Sequence, residues 1–131
     1  MGNVIVSASL LALGVIHLLP LIGVLGVDRL NELYGVTIQD RDLELLMRHR
    51  AVLFGMLGGL LFASVFVASL RSVAFCLAFV SVSSFLVLAW SMGKLGAEVQ
   101  TVFWVDVVAL VVLAVGVFFY FSKSDVSESA G

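Results

Sequence analysis

Residues 44–70 read "ELLMRHRAVLFGMLGGLLFASVFVASL", and they set Arg48, His49 and Arg50 against a run of twenty residues that carries no charge. A helix needs about 20 mostly apolar residues to cross about 30 Å of hydrocarbon, so the run from Ala51 is long enough to span a membrane. The three basic residues then stand at its lip. Two roles are open to them: an anchor for lipid headgroups, or one wall of a polar site shared with other helices.

The rest of the chain has the same character. Of its 131 residues 62% are hydrophobic and only 12% charged, against about 25% charged in soluble domains. Four helices are expected, at about 3–27, 38–70, 72–92 and 98–121, followed by a small polar tail, residues 122–131, expected to be disordered. The links after the second and third helices are short, which predicts an all-α, up-down-up-down four-helix transmembrane bundle. The first apolar stretch is longer than the about 7–15 residues of a signal-peptide core, and no Lys or Arg precedes it. It is expected to be a retained helix. The loop 28–37 carries a short amphipathic segment ending at Gly35. Thr37 and Asp40 approximate a capping box for a second helix starting near Ile38.

In this arrangement residues 28–37 and 93–97 share one face, with Arg29, Arg41, Arg48, Arg50 and Lys94, and both termini lie opposite, with Arg71 and Lys123. The positive-inside rule makes the first face cytoplasmic. A net charge of −2 gives no surface for nucleic acid. Cys76 is the sole cysteine, so neither an intrachain disulfide nor a thiolate cluster can form.

Ionisable groups inside a bundle cost about 2.5–3.5 kcal/mol each on insertion scales and usually face the protein interior. His17, Arg48 and Asp106 fall about 12–15 Å in from the same face at 1.5 Å per residue. On the second helix Arg41, Glu44, Arg48, Gly55, Gly59 and Phe62 share a side, and Gly55 with Gly59 forms the GxxxG that permits close helix approach. This phase turns Arg48 inward and Arg50 outward toward headgroups, with His49 between them. Asp106, within "FWVDVVALVV", has no local cation and is expected to pair with Arg48, Arg50 or His17.

Simpler roles fit several of these residues. Glu44 and Arg48, spaced i, i+4, suit a surface pair worth a few tenths of a kcal/mol, about 0.2–0.5. His17 suits a hydrogen bond to the Ile16 carbonyl, which Pro20 leaves without its usual donor. Trp90, Trp104 and Tyr34 suit an interfacial belt, although both tryptophans also flank the polar level. His17, Glu44, Arg48, His49, Asp106, Trp90 and Trp104 are therefore the candidate ligand-binding set, with Arg50 as a headgroup contact. No nucleophile, phosphate-loop or zinc-protease motif is present. No metal or cofactor is expected; haem between His17 and His49, or a quinone, is the weaker alternative.

At "GVIHLLP", "LYGV" and "LLMRHRAVLFGMLGGLL" the sequence resembles small bacterial four-helix membrane proteins related in architecture to the DoxX-like families. The resemblance runs from Gly14 to about Leu113 and includes "VDVVAL". Some similar sequences carry the name phosphopantetheine adenylyltransferase, a soluble enzyme whose HxGH motif this chain lacks. The DoxX-like relatives include subunits of quinone-linked oxidoreductases and accessory proteins. The resemblance therefore implies a role in a redox chain or in assembly. The converging polar layer, with no nucleophile or metal set, points to an accessory or structural protein, alone, as a homo-oligomer or in a larger membrane complex, with membrane lipids as partners and a layer expected to bind a lipid or quinone headgroup. An enzyme acting on an amphiphilic substrate and a small proton-coupled carrier are the alternatives.

Overall fold

The computed structural model describes the backbone of residues 1–128 and the side chains of residues 1–122. Among these residues the chain is helical with no strand: α1 (Gly2–Leu18), a 3-10 segment (Leu19–Leu25), α2 (Val27–Tyr34), α3 (Arg41–Phe66), a 3-10 turn (Ala68–Leu70), α4 (Arg71–Met92) and α5 (Ala97–Glu128). Four stretches are long and apolar enough to cross a membrane: Gly2–Leu25, Arg41–Phe66, Ala68–Met92 and Ala97–Ser122.

The differences from expectation lie at element ends, and each has a local cause. Pro20 supplies no N–H for the Ile16 carbonyl, and α1 gives way at Leu19 to the tighter 3-10 winding. Gly26 then takes φ 148°, in the region open mainly to glycine, and the chain turns into α2. α2 ends on Gly35 at φ 60°, whose N–H donates to the Asn31 carbonyl. The next residues stay extended because the Ile38 N–H donates to Asn31 Oδ1 at 3.0 Å. Consequently α3 starts at Arg41, three residues later than expected. Asp40 is its N-cap and accepts from the N–H groups of Asp42 and Leu43, so the Thr37–Asp40 box does not form. At the other end Val67 leaves helical geometry. Arg71 donates to the Ser64 and Val65 carbonyls, both at 3.1 Å, closing the C-terminus of α3. The helix therefore has 26 residues rather than about 33. The last helix continues past residue 121 to Glu128, through much of the segment expected to be disordered; residues 129–131 lie outside the described part.

α1 packs against α3 and α5, and α4 against α5 and α3. The core is Leu10 and Leu13 of α1, Leu61 of α3, Ala74, Phe75, Ala78 and Val82 of α4, and Ala109 and Leu113 of α5. Small residues set the spacing. A Cβ on Gly116 would stand 2.8 Å from Ser9 Cβ and 3.0 Å from the Phe75 ring, and one on Gly58 2.8 Å from the Leu18 side chain. Large apolar side chains such as Leu45, Leu46, Met56, Phe66 and Phe118 face outward.

Candidate functional site

Away from that core the helices part around a cavity of about 320 Å³, walled by the end of α1, the 3-10 segment, α2, α3 and the start of α5. Its walls are mostly apolar, and its polar groups are His17, Tyr34, Arg50, Glu98, Thr101 and Asp106.

His17 is buried, 2% exposed, near the C-terminal end of α1. Its Nδ1 lies 2.8 Å from the Leu13 carbonyl. A carbonyl only accepts, so Nδ1 carries the hydrogen and Nε2 of the neutral ring holds the lone pair. The partner is Leu13, one turn back, and not the Ile16 carbonyl expected from Pro20. The His17 ring lies 5.8 Å from that of Phe54, centroid to centroid.

Arg50 occupies the centre. Its Cζ is 5.1 Å from the centroid of Phe54 and 5.3 Å from that of Tyr34, both within the range of cation–π attraction, worth about 0.5–2 kcal/mol each. The contact with Phe54 follows from i, i+4 spacing on α3, whereas Tyr34 is delivered by α2. Among the described residues the Arg50 guanidinium makes no hydrogen bond and no ion pair. Asp106, half-buried on α5, likewise has neither, although the charge of Arg50 acts on it across the space. Glu98, two turns earlier on α5, lies over the Gly35 backbone, where a Cβ would collide with its carboxylate. Arg50 and Phe54 also wall a second space of about 490 Å³ between α3, α4 and α5, lined by Ser81, Ser84, Leu88 and Met92 among others.

This arrangement reverses the expected roles of the two arginines. Arg48 is exposed and holds the surface of α3 to the 3-10 segment: its Nε donates to the Val24 carbonyl at 3.1 Å and it pairs with Glu44 at 3.3 Å. The cause is helix phase. Ala51, Gly58, Leu61 and Ser64 are the buried residues here, and at about 100° per residue Arg50 and Phe54 fall within their arc while Arg48 and Gly59 fall outside it. Gly55 does meet a neighbour, Leu21, but nothing lies near Gly59, and Gly58 makes the close approach to α1. Of the face expected to look inward, Gly55 and Phe62 do meet neighbours, Leu21 and Gly14, whereas Arg48 and Gly59 are exposed. Glu44 remains with Arg48. His49 is exposed and does not line the cavity, so it does not join His17 as a haem ligand pair. Trp90 and Trp104, 82% and 60% exposed, look outward and are not part of the site.

His17 and Asp106 line the same cavity, with Arg50 rather than Arg48 beside them, but Asp106 makes no hydrogen bond or ion pair with any of the three, so the pairing expected of it does not form. Sequence reasoning missed Phe54, Glu98 and Thr101 and gave Tyr34 only to a belt. The i, i+4 step from Arg50 to Phe54 was the available signal. Among the described residues no group of three or more His, Cys, Asp or Glu side chains is placed to hold a metal ion. Neither family models, nor curated proteins, nor solved structures match this chain.

Proposed function

We propose that this chain is a multi-pass protein of the bacterial inner membrane, DoxX-like in architecture, an accessory or structural subunit whose intramembrane cavity binds the headgroup of an amphiphile, a lipid or a quinone. Four spanning-length helices support insertion, as do the large apolar side chains facing outward, which in water would form a far larger apolar patch than monomers tolerate. Close approaches that run in opposite senses support an antiparallel first pair of spans, and with it the up-down-up-down course: Gly14 of α1 meets Phe62, and Leu21 of the 3-10 segment meets Gly55, both on α3. The charge bias favours a cytoplasmic face for residues 28–37 and 93–97 and the opposite side for both termini.

The observation that carries the binding role is Arg50. Its guanidinium is held between two rings in a cavity with every one of its five donors unused. Unused donors of a charged group away from bulk water are costly, and an oxygen-rich headgroup satisfies them. The apolar walls suit the chain of an amphiphile. A second reading, an enzyme on an amphiphilic substrate, draws on His17, whose accepting Nε2 is the natural proton exchanger of the site.

Mass spectrometry of the protein purified from native membranes tests the binding role. A lipid or quinone is expected to co-purify with the wild type and to be lost at least tenfold in Arg50→Ala, while Arg48→Ala retains it. Equal retention in both variants, or no bound amphiphile in the wild type, would rule the reading out.

A further inference from the structure

The charges of the cavity are arranged in a way that an oxygen-rich head alone does not satisfy. On the α3 wall stands one cation, Arg50; on the α5 wall stand Asp106 and, two turns nearer the start of that helix, Glu98. Two turns amount to about 12 Å at 1.5 Å per residue. Neither carboxylate has a hydrogen bond or ion pair with any described residue. Thr101, between them, spends its hydroxyl hydrogen on the Ala97 carbonyl at 3.1 Å. The imidazole of His17 spends Nδ1–H on Leu13. The α5 wall is thus rich in acceptors and offers no free donor to them, while Arg50 offers donors and lacks an acceptor.

We infer that the cavity recognises a zwitterionic phosphoethanolamine-type headgroup, with its phosphate oxygens on Arg50 and its ammonium on Asp106, on the wall that also carries Glu98. This rests on the headgroup site proposed above and narrows its ligand class. A phosphate matches the planar guanidinium fork, which accepts two oxygens side by side. A primary ammonium brings three donors to a wall that holds only acceptors. The alternatives fit worse. A purely anionic head would satisfy Arg50 and then press further negative charge against Asp106 in a medium of low dielectric. A quinone would meet Arg50 with one carbonyl and set its remaining oxygen lone pairs against carboxylate oxygens. The second space, on the far side of Arg50 and Phe54, has apolar walls supplied by Phe85, Leu88, Met92 and Leu95, and an acyl chain attached to a head at Arg50 has its path there.

The test ranks defined lipids on the full chain in detergent, after delipidation, by native mass spectrometry. The series is phosphatidylethanolamine, its N-acetylated form and phosphatidylglycerol, all with matched chains, with free phosphoethanolamine as a soluble arm. Phosphatidylethanolamine is expected to bind about tenfold or more tighter than either of the others, because only it carries both charges. Asp106→Asn is expected to erase that preference, Glu98→Gln to reduce it about threefold, and Arg50→Gln to weaken all three lipids alike. If free phosphoethanolamine matches the lipid, the occupant is a soluble zwitterion of the same chemistry; if only the lipid binds, it is a membrane component. Phosphatidylglycerol or N-acetyl-phosphatidylethanolamine binding the wild type as tightly as phosphatidylethanolamine would overturn the zwitterion while leaving a headgroup site standing. The wild-type ranking decides this even if Asp106→Asn fails to fold. Binding of none of the lipids, nor of a quinone, would remove the site itself.

Discussion

At one end of the molecule Ser9, Phe75 and Gly116 bring α1, α4 and α5 as close as their backbones allow, and Ala74, Ala78 and Ala109 continue the same tight packing inward. At the other end, around His17, Arg50 and Asp106, the same α1 and α5 stand apart around a cavity. Both regions draw on α1 and α5, so the hydrophobicity of those two helices does not by itself separate them. Residue size and backbone winding do. Glycine and alanine line the first, where association in lipid depends on close van der Waals contact. In the second Pro20 ends the α-helix early, α2 is folded in beside it, and charged or aromatic side chains occupy the gap. A bundle can thus hold itself together at one end and leave the other free to accept a guest.

Four substitutions break or sharpen that contrast. The largest effect belongs to Leu10→Ala in the tight region: Leu10 is fully buried, and its loss is expected to cost about 2–5 kcal/mol, read as a lowered melting temperature in detergent with lipid binding unchanged after folding. A destabilisation below 1 kcal/mol (about a third of the usual range) would show that this region is not the anchor. Next comes a pair on α3. Gly58→Ala forces Leu18 to move and is expected to cost about 1–3 kcal/mol. Gly59→Ala, with nothing near its Cβ, is expected to be neutral or to gain up to about 1 kcal/mol of helix propensity. Equal effects in thermal denaturation would restore the GxxxG face. Smallest is Arg48→Ala: an exposed pair is worth about 0–1 kcal/mol, so thermal stability is expected to change by no more than that. A larger loss would mean that the Val24 contact fixes the 3-10 segment and, through it, the cavity wall.

The sequence disclosed the parts of this design that depend on long averages. Four apolar stretches sufficient to span, the nearly contiguous third and second helices, and the shared location of His17 and Asp106 were all legible from composition and spacing. What escaped depended on single contacts between elements. The Arg48–Arg50 exchange turned on which glycine of "GMLGG" meets α1, and Gly58 differs from Gly59 only by one step of helix phase. The place of Tyr34 beside Arg50 required knowing how α2 folds back. That follows from Gly26, Gly35 and the Asn31–Ile38 hydrogen bond together, and from none of them alone. Glu98 reads as an ordinary acidic residue in the first turn of a helix until Gly35 is seen beneath it.

Arg71 ties the last carbonyls of α3 to the first turn of α4, and this fixes how those two helices can separate. Joined at that corner, they have the geometry of a pair of tongs, in which a change of angle displaces the pivot least and the far ends most. The tips carry Arg50 on one arm and Met92 on the other. A small change of angle at the Arg71 corner is therefore amplified at the space beside the guanidinium, several turns away from it.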